Sequence, residues 1–426
     1  MTRHPSSRAR LTLISLHDLS LPPTFAADFV TALIGAFERE KGQAIGHSTR
    51  VTLLSHLIGQ EMRLPRETQK ELFFSSLLHD IGGISTAGHI WKRLTEVPDI
   101  FGQKTDFRIF FHSARGYAVL SRFPTLRKIA EVVYTHHEFY DGSGFPQGLK
   151  GDDIPLLARI IRIADTTDII LRLHEIQNGE EIKSFLDISA GEEFDPQSYE
   201  RFVSLLGRPD TLPLLLDENL VRERFREICQ SMTDQYYFSA SDSLNRFFEM
   251  AAMLIDNVTT IGKQHSLRVA EFAEQIALSL KLDQSLILQM RWAALLHDIG
   301  KVTSNRMIYT KSEKLSDIEW RAIRAHPEKG YETLNAVSGL QEIAFYVLHH
   351  HENYDGSGYP EGLSGEKIPL ASRILRVADA FEAMTSERIY HRKRDWQMAL
   401  RELRENAGKQ FDPRIVDITV DAYQIR

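Results

Sequence analysis

Seven side chains in the second half of the chain are good ligands for a borderline divalent cation: His265, His297, Asp298, His326, His350, His351 and Asp379. They come from five separated points in the sequence, as a site built into the core of a helical bundle requires. His297 and Asp298 are adjacent, so on a helix their side chains diverge by about 100°. One imidazole then serves one metal while the neighbouring carboxylate bridges to a second. Two ions a few Å apart share a hydroxide and clamp a phosphodiester from both sides. Taken singly, these residues say little. A lone His-Asp pair is usually a capped helix end or a surface polar group, and a run such as His349-His350-His351 is often incidental.

An internal repeat changes that weighing. His47-Ser48-x-Arg50-Val51 returns as His265-Ser266-x-Arg268-Val269, and Leu77-Leu78-His79-Asp80-Ile81-Gly82 returns as Leu295-Leu296-His297-Asp298-Ile299-Gly300, both at a spacing of 218 positions (47 to 265, 77 to 295). His112-x-x-x-Gly116-Tyr117 returns as His326-x-x-x-Gly330-Tyr331 at 214 positions (112 to 326). At that same spacing His136-His137-Glu138 with Asp141-Gly142-Ser143-Gly144 returns as His350-His351-Glu352 with Asp355-Gly356-Ser357-Gly358, and Asp165 as Asp379. Phe194-Asp195-Pro196 is answered by Phe411-Asp412-Pro413. The first copy therefore holds four extra residues between Asp80 and His112. Packing alone could preserve an apolar face in a duplicated bundle, but it has no use for seven ligand-type side chains kept in order.

The elements that must position these side chains read as helices almost throughout. In the second copy Leu267, Ala270, Phe272, Ala273, Ile276, Ala277 and Leu280 recur at helical spacing, and Ile287, Met290, Ala293, Ala294 and Leu296 lead into His297. Residues 360–369 form a Gly-rich loop and Leu370–Thr385 resumes a helix. No segment sustains a period of two, so the fold expected is all-α, two tandem helical bundles joined by a helical linker, with β structure confined to small loop hairpins. The divisions expected are an N-terminal segment 1–24, a first domain 25–205, a linker 206–240 and a second domain 241–426. Gly207-Arg208-Pro209-Asp210 and Thr211-Leu212-Pro213 break the chain at the junction. Helices over Glu218–Met232 and about 243–258 follow.

The 426 residues exceed one ordinary core, and 42% apolar with 26% charged residues is a globular profile. A net charge of −7 leaves no basic excess for a DNA or RNA polymer, so an anionic substrate must rely on local positive charge. The single cysteine, Cys229, excludes an intrachain disulfide and a Cys-based zinc site and fits a reduced, cytoplasmic setting. The apolar run at 11–16 is too brief for a membrane span and lacks a small-residue cleavage site, so a soluble, unprocessed protein with no membrane association is expected. The segment up to about Pro23 reads as loosely ordered or a short edge strand.

His297-Asp298-Ile299-Gly300-Lys301, followed by His350-His351-Glu352-x-x-Asp355-Gly356-Ser357-Gly358-Tyr359-Pro360, resembles the signature of the HD-GYP family, a subset of the HD metal-dependent phosphohydrolases. The resemblance covers about residues 255–420. It implies a phosphodiesterase that opens cyclic di-GMP to pGpG and on to GMP with a di-iron, di-manganese or mixed centre. Zinc, nickel and cobalt also suit such ligands. Carried over by position, His265, His297 and Asp379 would hold one metal, His326, His350 and His351 the other, and Asp298 would bridge them. Asp298 and Lys301 are then the catalytic pair, Lys301 steadying a substrate phosphate or the leaving oxygen. Trinuclear members carry a Glu four residues before the first His; here that position is Ile261, so two metals are expected. Lys301, Lys311, Lys314, Arg373, Arg388 and Tyr359 form the expected substrate-binding set, with Arg376 adding positive charge. The Gly-rich loop would shape the site and meet a cyclase or other signalling partner.

The first copy keeps every ligand counterpart, His47, His79, Asp80, His112, His136, His137 and Asp165, so a second metal site is expected there. It departs elsewhere. Lys301 is answered by Gly83, Tyr359 by Phe145, and the Lys311 to Leu315 stretch and Thr385-Ser386-x-Arg388-x-Tyr390 have no equivalent. This half is expected to bind metal and nucleotide but to turn over slowly or act on another substrate, serving regulation or homodimerisation; turnover by a 1–210 fragment that matched the second domain would reject that. Two rivals remain to the cyclic di-GMP reading: a hydrolase of another nucleotide, such as cyclic GMP-AMP, and a non-catalytic nucleotide-sensing scaffold.

Overall fold

The computed structural model describes residues 22, 25–40, 46–83, 107–232, 241–259, 264–304, 307–311, 313–386 and 395–424. Nearly all of the N-terminal segment 1–24, the extra residues of the first copy, Ile261, Arg388 and Tyr390 lie outside them. Among the described residues there are helices and no β-strands; the only β features are single bridges, Ala190 to Phe194 and Ala407 to Phe411, which close the turns around the two Phe-Asp-Pro motifs. The all-α expectation holds. No helix among the described residues is long and apolar enough to cross a membrane.

In the first half the helices are α1 (Phe25–Glu40), α2 (His47–Glu61), α3 (Arg66–Leu78), α4 (Phe107–Leu120), α5 (Arg127–Thr135), α6 (Leu156–Leu173), α7 (Gly179–Asp187), α8 (Pro196–Leu206), α9 (Thr211–Leu216) and α10 (Glu218–Met232). In the second half they are α11 (Ser241–Thr259), α12 (His265–Ser279), α13 (Gln284–Leu296), α14 (Met307–Thr310), α15 (Asp317–Arg324), α16 (His326–Asn335), α17 (Gln341–Leu348), α18 (Leu370–Thr385), α19 (Trp396–Glu405) and α20 (Pro413–Gln424). The repeat is thus structural: α2, α3, α4, α5 and α6 are answered by α12, α13, α16, α17 and α18.

Local chemistry sets the helix ends. Asp283 accepts the backbone N–H of Leu286 at the start of α13, and Ser316 with Glu319 forms a reciprocal capping box on α15. Asp195 caps α8 at the N–H groups of Gln197 and Ser198, with Pro196 in the first turn, where its missing N–H costs nothing. On α12, Ala270, Ala273, Ile276 and Ala277 are fully buried while Leu267, Phe272 and Leu280 pack at the edge of the core. Trp292 of α13 is fully buried, and its indole N–H donates to Asn245 Oδ1 at 2.6 Å.

A close backbone crossing brings the two ends of each site together. A short 3-10 helix, Ile299–Thr303, follows Asp298 and lies on the N-terminus of α16. A Cβ on Gly300 would fall 1.9 Å from the carbonyl oxygen of His326, so only glycine allows the approach that puts Asp298 beside His326. Gly82 makes the same approach to the carbonyl oxygen of His112, also at 1.9 Å.

The halves are not packed alike at their outer helices. In the second, α11 covers α12, α13 and the Ile299–Thr303 turn. Its counterpart by position in the first half, α1, does not cover α2 and α3. It crosses to the second half and packs on α16 and on that same Ile299–Thr303 turn. Phe29 meets Phe248 edge to face at 5.1 Å and Phe247 at 5.2 Å, and Phe25 meets Phe248 at 6.2 Å. Burying a Phe such as Phe29 contributes about 1.5–3 kcal/mol. The place left open on α2 and α3 is taken by α10, whose Phe225 stacks on Phe73 at 6.0 Å.

Candidate metal centre

In the second half all seven expected ligands converge. His265 starts α12, His297 ends α13, Asp298 follows it, His326 opens α16, His350 and His351 follow α17, and Asp379 lies within α18. Ligand atoms of His265, His297 and Asp379 form one group, those of His326, His350 and His351 another, and those of His297, Asp298 and His350 link the two, each group lying within 4.8 Å. Asp298 sits between them. Its Oδ2 is 3.4 Å from His297 Nε2 and 3.8 Å from His265 Nε2, and its Oδ1 is 3.5 Å from His326 Nε2. His265 Nε2 lies 3.5 Å from Asp379 Oδ1.

The tautomers follow from the backbone. His297 Nδ1 donates to the carbonyl of Ala294 at 2.8 Å, His326 Nδ1 to Ile323 at 2.7 Å, and His350 Nδ1 to Val347 at 2.5 Å. Each bond reaches back three residues, and each leaves Nε2 with its lone pair turned inward. Consequently the Nε2 atoms of His326 and His350 face one another at 3.2 Å with no proton to share. Asp298 Oδ1 is buried with no hydrogen-bond partner. Inward lone pairs around an orphaned carboxylate oxygen fit a pair of divalent cations and suit little else.

Burial and like charge keep His326, His350 and His351 neutral. Burial and then the Lys301 charge lower the His326 pKa to about 4, and burial followed by neighbouring histidines holds His350 and His351 well below the ordinary value. Burial alone would raise Asp298, but the surrounding His297, Lys301, His326 and His265 hold it well below the usual carboxylate range. His265 moves the other way: burial opposes its protonation, yet the hydrogen bond to Glu382 and the nearby carboxylates outweigh it.

Glu382 is the residue that the sequence reading missed. One turn beyond Asp379 on α18, its Oε2 accepts from His265 Nδ1 at 2.5 Å and its Oε1 accepts from Arg268 Nε at 2.7 Å. It fixes the ring that would otherwise rotate. The first half has Asp168 in that place, 2.7 Å from His47 Nδ1 and bonded to Arg50 and Arg172. The signal was in the repeat itself, since 168 and 382 stand 214 positions apart like Asp165 and Asp379.

Of the expected substrate contacts, Lys301 lies at the centre: its Nζ donates to Asp298 Oδ2 at 2.6 Å, from a largely buried position. The Tyr359 ring covers His351 at 5.0 Å between centroids, with the Arg324 guanidinium over the Tyr359 ring at 5.5 Å from its centroid. Arg376 donates toward His351 Nδ1 at 3.2 Å and to Asn353 Oδ1 at 3.1 Å. Three expected contacts are not at the centre. Arg373 is committed to Asp412 at 2.5 Å and the carbonyl of Ile368, tying α18 to the Phe411-Asp412-Pro413 turn. Lys311 pairs with Glu319 at 2.7 Å, and Lys314 is exposed. His349 turns away from its two neighbours and contacts Phe345 and Glu361. The loop is held from beneath by Glu352 Oε1, which accepts the N–H groups of Glu361 and Gly362.

The first half assembles the same set. His47, His79 and Asp80 form one group and His112, His136 and His137 another. His47 Nε2 is 3.6 Å from Asp165 Oδ1, and Asp80 Oδ1 is 3.3 Å from His112 Nε2. His136 lies 3.2 Å and His137 3.1 Å from His112, Nε2 to Nε2. Phe145 stacks on His137 at 4.8 Å, as Tyr359 does on His351.

Known proteins align with both halves. The HD-domain family profile matches residues 32–177 and 249–415. The 3'3'-cGAMP-specific phosphodiesterase 3 of Vibrio cholerae is 27% identical over 430 residues, spanning 91% of this chain and 92% of that protein. The cyclic di-GMP phosphodiesterase response regulator RpfG of Xanthomonas campestris is 42% identical over 154 residues, 35% of this chain and 40% of its own. Among solved structures, the cyclic GMP-AMP specific phosphodiesterase V-cGAP3 of V. cholerae shares the fold, with a TM-score of 0.58 at 24% identity over 94% of this chain and 98% of that one.

Proposed function

The chain belongs to the HD-domain family, and from that premise we propose that it is a metal-dependent phosphodiesterase of cyclic dinucleotides, with its active centre in the second half and 3'3'-cGAMP as its preferred substrate. The observation that carries the reaction class is the convergence of inward-facing Nε2 atoms and carboxylates around the buried Asp298. The substrate preference reverses the order reached from the motif, which put cyclic di-GMP first. It rests on the cGAMP-specific relative matching the tandem arrangement along nearly its whole length, whereas the cyclic di-GMP relative RpfG matches about a third of this chain.

His265, His297 and Asp379 would hold one ion, His326, His350 and His351 the second, and Asp298 both. Iron and manganese, the pair implied by the family resemblance, are both compatible with this nitrogen- and oxygen-rich set. When bound, the pair supplies positive charge for the non-bridging phosphate oxygens and lowers the pKa of the attacking water. The protein's own groups do the rest. Glu382 and the carbonyls of Ala294, Ile323 and Val347 fix the rings before substrate arrives, so no reorganisation is needed as charge develops. Lys301 brings a cation to within hydrogen-bonding reach of the same centre, where it meets charge growing on the phosphate or the departing ribose oxygen. Water adds to phosphorus, one P–O ester bond breaks, and the ring opens to a linear dinucleotide.

The test is turnover by the full chain, loaded anaerobically with Fe²⁺ or Mn²⁺, on 3'3'-cGAMP, cyclic di-GMP and cyclic di-AMP, with products identified by chromatography. At least ten-fold faster turnover of 3'3'-cGAMP than of cyclic di-GMP is expected. Equal or faster turnover of cyclic di-GMP overturns the substrate assignment, and hydrolysis of none overturns the enzyme.

A second reading applies to the first half alone. With Gly83 in the place of Lys301, it is a metal-holding domain without the catalytic cation and serves sensing or assembly.

A further inference from the structure

The α2–α3 interface of the first half buries a polar cluster where its counterpart is apolar. At this interface in the second half the buried positions are Ala270, Ala273, Ile287 and Ala293, an ordinary apolar seam. The same positions in the first half are Thr52, Ser55, Gln69 and Ser75. All four are buried, and Thr52 Oγ1, Ser55 Oγ, Gln69 Oε1 and Ser75 Oγ have no hydrogen-bond partner. Beside them His56, only 4% exposed, has an unpartnered Nδ1; its counterpart Glu274 pairs instead with Arg291. Gly59 makes room for this arrangement, because a Cβ there would fall 2.9 Å from Gln69 Oε1. Orphaned buried polar atoms are costly to a fold, and a cluster of them on one seam calls for a partner that the protein does not itself supply.

Of these five residues, His56 and Gln69 line an open pocket of about 460 Å³, a size that holds small organic ligands. Arg63, Arg66, Leu64 and Met232 share the lining, and Arg66 Nη2 also reaches the carbonyl of Ser231 at 3.4 Å. Arg224 on α10 is close enough to act on His56, which burial and that positive charge hold neutral with a pKa of about 4. The cavity is distinct from the metal cluster. His56 lies nine residues along α2 from His47, about 13 Å at the helical rise.

We propose that this cavity binds a nucleoside monophosphate, its phosphate on Arg63 and Arg66, its base between Leu64 and Met232, and the base's polar edge on Gln69 and His56. An amide and a neutral imidazole together offer donors and acceptors suited to a heterocycle, and paired guanidinium groups suit a phosphate. The proposal does not depend on which cyclic dinucleotide the second half opens.

Calorimetry on the metal-loaded full chain with GMP, AMP and inorganic phosphate tests it. One mononucleotide-binding event is expected that weakens at least ten-fold in Gln69→Leu and in Arg63→Ala, with turnover by the second half unchanged in both. Gln69→Leu should melt no lower than the parent, since it removes an orphaned polar group. Should it fail to fold, Arg63→Ala, at an exposed position, carries the test. Absence of mononucleotide binding means a water-filled cavity and overturns the proposal. So does binding that survives these substitutions, which belongs to the metal centre, or phosphate binding as tightly as GMP and AMP, which marks an anion site without a base pocket.

Discussion

The two halves hold the same ligands in the same places and differ in what surrounds the central carboxylate. Asp298 is 1% exposed and has the Lys301 ammonium on its Oδ2; Asp80 is 18% exposed, and the position that answers Lys301, three residues on, is Gly83. Tyr359 over His351 becomes Phe145 over His137. On the proposed reading, holding a metal and using it are separable in this fold. The ligand set needs only helices and a glycine crossing, while chemistry on a phosphate needs a positive group placed where charge develops.

Substitutions at paired positions sharpen or break that contrast. Asp298→Ala should lower turnover of the cyclic dinucleotide by about 10³-fold or more and deplete metal in the second half, whereas Asp80→Ala should leave most turnover in place; comparable losses from the two would make the halves catalytic equals. Lys301→Ala should reduce kcat by about 10²-fold with metal content unchanged, measured by steady-state kinetics beside elemental analysis. Loss of metal in that variant would reassign the lysine to holding the site together. Glu382→Gln should weaken metal binding in the second half by about 10–100-fold, and Asp168→Asn should do the same in the first, read by competition with a chelator.

The smallest effect is on pH dependence without metal. Burial lowers His326, His350 and His351 in one half and His136 and His137 in the other. Between pH 6.5 and about 4 the unfolded chain binds protons that these folded imidazoles refuse, so stability falls as pH falls through that window. His47, raised to about 9 against its burial by Asp168, runs the other way: its contribution is complete below pH 6.5 and fades as pH rises through 9. With these five and His56, also lowered to about 4, against His47 and His265, chelator-treated protein should melt several degrees lower at pH 5 than at pH 7. A rise in melting temperature at pH 5 would mean that the raised pair dominates.

The helical architecture and the converging side chains were legible because a repeat makes every position a measurement taken twice. His265 and Asp379 share no local pattern, yet each was found through its partner at a fixed spacing. Glu382 obeyed the same spacing and was overlooked because it changes type, from Asp168 to Glu. Arg373 was placed near substrate from charge alone, whereas its guanidinium is held by Asp412, and charge carries no direction. The seam polarity of the first half was also present in the sequence, as Thr52, Ser55, Gln69 and Ser75 against alanines and isoleucine. It needed the pairing of α2 with α3 before it meant anything.

The crossing of α1 has a consequence for how this chain can be divided. A helix from the start of the sequence covers the turn that carries Lys301, and a helix from the middle fills the vacancy it leaves. Neither half, cut out by sequence position, would carry its own lid: a fragment ending near 210 loses α10 from its back, and one beginning near 241 bares the apolar seat of Phe25 and Phe29. The second half is thus covered in part by a helix of the first, so the activity proposed for it should report on the integrity of both.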